Sequence, residues 1–61
     1  MDAPELEALL KERAKEFADE NINSPSELEY TLIHNAMLIA WEMGVRQAIK
    51  YMNEKGVRFD Y

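Results

Sequence analysis

The chain has 61 residues, 48% of them hydrophobic, and a formal net charge of −5. This length accommodates one small domain, and the hydrophobic share favours a folded core over a disordered segment. The sequence contains no cysteine, which excludes disulfides and thiolate metal sites. Because a domain of this size buries only about 60% of its unfolded surface, we expect association with another chain to stabilise it.

Acidic residues are concentrated in the first half of the sequence. Residues 1–29 hold nine acids and three bases, whereas residues 30–61 hold three acids and four bases. An acidic surface disfavours non-specific binding to nucleic acid and to anionic membranes. The N-terminus does not resemble a signal peptide, and the longest apolar run, residues 36–41, is far shorter than the roughly 20 residues that span a bilayer. We therefore predict a cytoplasmic protein with no membrane partner.

The first helix is predicted over about residues 4–21. Asp2 is its expected N-cap, and Pro4 fits the first turn, where its missing N–H has no hydrogen bond to lose. Apolar residues recur at helical spacing and form one narrow stripe. Its main members are Leu6, Leu9, Leu10, Phe17 and Ala18.

The second helix is predicted over about residues 25–55. Ser24 and Glu27 have the spacing of a capping box, with Pro25 at the first helical position. Its C-terminal end is predicted at Gly56, which suits a left-handed cap. The short connection makes the two helices antiparallel neighbours. Residues 57–61 are predicted to form either a short extended tail whose Phe59 and Tyr61 dock on a neighbour, or a frayed end.

Gly44 leaves three alternatives for the second helix: a close helix–helix contact, a kink or a break. If the helix is continuous, its last turns extend beyond the first helix and leave Val45, Ile49, Tyr51 and Met52 uncovered. If Gly44 ends the helix, a third short helix follows. The apolar residues of the second helix cover more than one side, which indicates burial against a further surface. We therefore predict an all-α fold, an antiparallel helical hairpin that self-associates into a dimeric bundle. Five residues are predicted at the oligomer or partner interface: Leu38, Trp41, Val45, Ile49 and Met52.

No residue pattern predicts catalysis, a cofactor or a metal ion. The single histidine, His34, has no ligand-type residue three or four positions away, so it lacks the spacing of a helical metal site. We expect it at the rim of a helix interface, bonded to a neighbouring group. An alternative is a small-ligand pocket at the subunit interface, for a nucleotide or metabolite, formed by Tyr30, His34 and Trp41.

Residues 43–49 read Met-Gly-Val-Arg-Gln-Ala-Ile, and Gly56 follows. This stretch resembles the turn and recognition helix of bacterial helix-turn-helix regulators, which commonly read Leu-Gly-Val-Ser-Arg-Gln-Ala-Ile. The resemblance implies a DNA-binding alternative in which the recognition helix enters the major groove. It assigns base contacts to Arg46, Gln47 and Lys50, and phosphate contacts to Lys55 and Arg58.

The function that these patterns favour is non-enzymatic. We expect a small cytoplasmic regulatory or inhibitory protein that binds protein through a helical apolar surface. Compact, acidic, cysteine-free chains are common among phage and mobile-element inhibitors, and the comparison is an analogy. The expected partners are a second copy, as a homodimer or higher oligomer, and another protein; DNA and small ligands remain the alternatives.

Overall fold

The structure describes residues 3–59, and this part of the chain contains three α-helices. In this computed structural model α1 spans Ala3–Asn21, α2 spans Glu27–Met43 and α3 spans Val45–Glu54, with no strand in that range. The prediction of an all-α fold is therefore confirmed. The predicted cap at Asp2 and the predicted docking of Tyr61 lie outside the described residues. None of these helices is long and apolar enough to cross a membrane.

The core lies where α1 packs against α2. Ala14 and Ala18, one turn apart on α1, are 1% and 0% exposed, and Ile33 on α2 is 1% exposed. Small side chains at a helix contact allow the two backbones to approach closely. Ile22, in the connection, completes this buried cluster. Partly buried hydrophobic residues surround it: Phe17, Tyr30, Met37, Met52, Val57 and Phe59.

The start of α2 lies two residues later than predicted. Ser26 is the N-cap: its hydroxyl accepts the backbone N–H of Glu29 at 3.2 Å, and the Glu29 carboxylate accepts the N–H of Ser26 at 2.9 Å. The predicted box of Ser24 and Glu27, with Pro25 opening the helix, is wrong. An N-cap residue takes extended backbone, as Ser26 does, whereas Ser24 has a left-handed φ of +52°.

Gly44 separates α2 from α3, so the alternative with a third short helix is correct and a continuous helix over residues 25–55 is wrong. Its φ of 103° and ψ of 162° belong to a region that glycine adopts without strain and other residues avoid. The Gly44 N–H donates to the Ala40 carbonyl at 3.0 Å, and its carbonyl accepts the Ala48 N–H at 3.3 Å. The chain therefore turns at a single residue while both helix ends keep backbone hydrogen bonds.

The helix after Gly44 packs against α2 instead of extending past it. Ala48 is 5% exposed, and both Tyr51 and Met52 are half-buried, although the continuous-helix alternative leaves them uncovered. Val45 and Ile49 remain 65% and 48% exposed. Folding back at Gly44 thus covers one face of α3 and leaves another face in solvent.

A hydrogen-bonded cap ends α3 where the sequence predicts it. Gly56 has φ +70°, and its N–H donates to the Asn53 carbonyl at 3.2 Å. The next N–H, that of Val57, donates to the Met52 carbonyl at 3.1 Å. This pair of bonds is the Schellman motif, which reverses the chain direction at the helix end.

Two residues after this cap, Arg58 and Phe59, contact α1, the connection that follows it and the start of α2. The Phe59 ring packs edge-on against Phe17, with centroids 5.8 Å apart. Arg58 Nε donates to Glu29 Oε2 at 3.0 Å, and its Nη2 donates to the Asn23 carbonyl at 3.0 Å. We call these two contacts of Arg58 the clasp. The fraying alternative is wrong for Phe59, because its ring docks on Phe17 of its own chain.

Candidate protein-binding surface

Four exposed apolar side chains lie within residues 41–49, on either side of Gly44. Trp41 and Met43, at the end of α2, are 66% and 69% exposed, and Val45 and Ile49 on α3 are 65% and 48% exposed. We call these four residues the corner surface. A single exposed apolar side chain is ordinary, but several large ones around one turn indicate a site of contact with another molecule.

An apolar groove opens beside the corner surface. Its volume is about 140 Å³, close to the roughly 150 Å³ of an interior cavity that holds a benzene molecule. The groove can therefore accept about one large apolar side chain. All nine lining residues are hydrophobic: Phe17, Ile33, Ala36, Met37, Ala40, Val45, Ala48, Ile49 and Met52.

The five residues predicted at the interface do not share one surface. Trp41 does not line the groove, and it lies two positions from Met43, about 160° around α2, so these two members of the corner surface lie on different sides of the helix. Leu38 is half-buried and lies two positions from Ala40, which is about 160° around the helix, so it faces another side of α2. The other three line the groove together: Val45, Ile49 and Met52.

Seven members of this region were not predicted at the interface, and two of them are informative. Met43 belongs by its spacing to the broad apolar face of a continuous helix, but it is 69% exposed at the turn. Phe17 comes from α1 and lines the groove together with residues of α2 and α3. Predicting either residue at the interface would require knowing that the chain turns at Gly44. The neighbouring residues in the sequence do not determine that backbone conformation.

The residues assigned to DNA bases lie on the outer face of α3. Arg46, Gln47 and Lys50 are all exposed. The Lys50 ammonium is 4.0 Å from Glu54 Oε1, a long contact between two exposed groups that contributes little stability. This face is therefore accessible and carries positive charge.

The two residues assigned to phosphates have contacts within the chain. The Lys55 ammonium lies 5.8 Å from the centroid of the Tyr51 ring, within the range of a cation–π contact. Arg58 holds Glu29 in the clasp. The pKa of Glu29 is below its ordinary value, first because its carboxylate accepts the Ser26 N–H and further because Arg58 donates to it, although desolvation opposes both.

A second groove, which we call the polar groove, lies between α1 and α2. Its volume is about 420 Å³. Tyr30 and His34 of the predicted ligand pocket line it, whereas Trp41 does not. The other lining residues come mainly from one side of α1: Ala8, Lys11, Glu12 and Lys15, with Thr31 from α2.

The polar side chains of this groove include one unsatisfied atom. His34 Nε2 is buried and has no hydrogen-bond partner within residues 3–59, so the bond predicted for this histidine is not made at Nε2. The Tyr30 hydroxyl donates to the Asp19 carboxylate, and this bond is the main reason that the pKa of Tyr30 is raised. The described residues contain no group of three histidine or carboxylate side chains placed to hold a metal ion.

Comparison with protein-family models, curated proteins and solved structures finds no match for this chain. Function is therefore inferred from the geometry of residues 3–59.

Proposed function

We propose that this chain is a small, non-enzymatic regulatory or inhibitory protein that binds protein through the corner surface and the apolar groove. The observation that carries the proposal is the exposure of Trp41, Met43, Val45 and Ile49 beside a groove with an entirely apolar lining. Tryptophan and methionine are enriched in protein interfaces, and an apolar groove between helices is a common receptor for an amphipathic helix.

In this proposal α1 and α2 form an antiparallel hairpin, and hairpins associate into a helical bundle. The connection between them, residues 22–26, is short, and Tyr30 near the start of α2 bonds to Asp19 near the end of α1. The partner is a second copy of the chain or a helix of another protein. The proposal includes no cofactor and no catalytic residue, because the acidic side chains of α1 are exposed to water, which keeps carboxylates poor acid–base catalysts.

Small-ligand binding is a second candidate, favoured by the polar groove. Its volume of about 420 Å³ falls within the range of roughly 300–1,000 Å³ for small-molecule sites. A ligand acceptor that reached His34 Nε2 would satisfy a buried nitrogen that has no partner within the described residues. A rise in melting temperature with a nucleotide or metabolite, lost on His34→Phe, would favour this candidate.

The DNA-binding alternative has weaker support. One residue, Gly44, joins α2 to α3, whereas helix-turn-helix motifs use a turn of about three or four residues. Arg58, assigned to phosphate, already holds Glu29. Retention on DNA at low salt that weakens steeply as salt rises would reverse this ranking.

The proposal is tested by placing a carboxylate in the corner surface. Val45→Asp should abolish association, because a charge would be buried against apolar side chains. Leu28→Asp is the matched control, since Leu28 is 66% exposed, lies in the first turn of α2 as Val45 does in α3, and does not line the groove. Molar mass from light scattering over a concentration series reports association. Equal behaviour of the two variants and the wild type would contradict the proposed surface.

A further inference from the structure

We infer that the partner at the apolar groove is a second copy of this chain, and that α1 of each copy packs against α3 of the other. This inference rests on the proposed function and specifies its partner. It is carried by the opposite charges on the two edges of the groove. The α1 helix as a whole carries six acids and three bases, whereas α3 carries two bases and one acid.

The edge of the groove on α1 is acidic. Phe17 lines the groove, whereas Ala18 is buried. At about 100° per residue, Glu16 and Glu20 lie beyond Phe17 on the side away from Ala18. Arg13 lies on the same side, about 40° from Phe17 and nearer to it than either glutamate, and it offsets part of this charge, with its Nη1 3.2 Å from Glu16 Oε2. Glu20 has no ion pair within residues 3–59, so its carboxylate is available to a partner.

The edge of the groove on α3 is basic. Ile49 lines the groove, and Ala48 is buried against α2. The same helical geometry places Arg46 and Lys50 beyond Ile49 on the side away from Ala48. Arg46 has no ion pair within the described chain, and the contact of Lys50 with Glu54 is long, at 4.0 Å. Both cations are therefore available to a partner.

Two-fold symmetry then selects one arrangement. Most small homo-oligomers are closed two-fold dimers, in which the same patch of each copy faces the other. A two-fold axis along the groove, between its edges, places the acidic edge of one copy on the basic edge of the other. A two-fold axis across the groove would place acid on acid and base on base, and like charges in an interface are strongly disfavoured.

The charge pattern also favours a second copy over a uniformly charged partner. A helix with only acidic or only basic flanks would meet repulsion at one of the two edges. A partner must offer a basic flank to Glu16 and Glu20 and an acidic flank to Arg46 and Lys50, with an apolar strip between them. The chain itself presents these three features in the required order.

The test reverses the charges of one edge and then of both. Arg46→Glu/Lys50→Glu should weaken the wild-type dimer about tenfold or more, because both edges become acidic. Adding Glu16→Lys/Glu20→Lys to the same chain should restore most of the affinity by exchanging the two signs. Lys11→Glu/Lys15→Glu is the matched control: it makes the same change in net charge at the same spacing, but beside the polar groove.

Sedimentation over a concentration series would measure each dissociation constant, and circular dichroism would show that each variant is helical. Equal weakening by the Arg46/Lys50 and Lys11/Lys15 reversals, or no rescue by the fourfold variant, would each overturn the inference.

The outcomes separate this inference from the proposed function. A dimer that Val45→Asp disrupts, but that the charge reversals do not affect, would keep the binding surface and reject the pairing of α1 with α3. A wild-type chain that stays monomeric at every concentration would reject the second copy as partner. In that case, capture of a defined protein that is lost with Val45→Asp and kept with Leu28→Asp would still support the proposed function.

Discussion

At the scale of single residues, Glu29 joins three parts of the molecule. Its carboxylate accepts the Ser26 N–H at the start of α2 and pairs with Arg58 from the C-terminal segment. Arg58 also donates to the Asn23 carbonyl in the connection after α1. The Glu29 side chain is only 14% exposed. One ionised group therefore caps α2 and holds the segment that follows α3 against the start of α2.

The lowered pKa of Glu29 predicts a dependence of stability on pH. A carboxyl group with a lowered folded-state pKa contributes stability above its unfolded pKa, and this contribution is lost as pH falls through the folded-state value. The ordinary value is 4.5. Glu29→Gln should therefore be less stable than the wild type at about pH 7, and the difference should shrink below about pH 4 as Glu29 becomes protonated.

Urea unfolding of the two proteins across this pH range measures the difference. Glu27→Gln removes a carboxylate from the same helical turn, but Glu27 takes no part in the clasp or the capping box. If Glu27→Gln and Glu29→Gln changed the pH profile equally, a special role of Glu29 would be ruled out.

The capping box illustrates a limit of prediction at this scale. Ser24 and Ser26 each precede a glutamate by three residues, so the local pattern fits both. Arg58, which lies 29 positions beyond Glu29, pairs with it rather than with Glu27 and so supports the box at Ser26. No local rule contains that contact.

At the scale of helices, Gly44 decides the architecture. A glycine inside a continuous helix costs only about 1 kcal/mol relative to alanine, so sequence alone permits both a break and an unbroken helix. Burial of Ala48 and half-burial of Met52 against the rest of the fold favour the break. These are long-range contacts, whereas the all-α fold and the cap at Gly56 follow from local signals and were predicted.

Replacing Gly44 tests the role of its backbone conformation. Gly44→Ala should lower the free energy of unfolding by about 1–3 kcal/mol, because an L-residue is strained at φ 103°. Steric overlap contributes nothing, since a Cβ at this position would meet no atom within 4 Å. Urea unfolding measures the loss.

A synthetic chain with D-alanine at position 44 is the control for this substitution. D-residues favour positive φ, so this variant should retain the stability of the wild type or exceed it. Equal destabilisation by both enantiomers would show that backbone strain at Gly44 is not what shapes the turn.

At the scale of the whole molecule, the proposed binding surface combines residues of three helices. Val45, Ile49 and Met52 could be predicted from the apolar spacing of the second half of the chain, and they do line one groove. Phe17 could not, because its place in the groove requires α3 to fold back toward α1. Leu38 has the same apolar character as the others but faces another side of α2. The spacing of apolar residues predicts which of them share a helix face. The turn at Gly44 determines which helix faces meet.

The most direct test of a covered corner surface is quenching of Trp41 fluorescence by acrylamide as a function of chain concentration. Trp41 is the only tryptophan in the sequence and is 66% exposed in the single chain. The wild type and Leu28→Asp should become harder to quench as concentration rises, whereas Val45→Asp should remain equally quenchable throughout. If wild-type quenching were the same at every concentration and matched that of Val45→Asp, self-association through the corner surface would be contradicted.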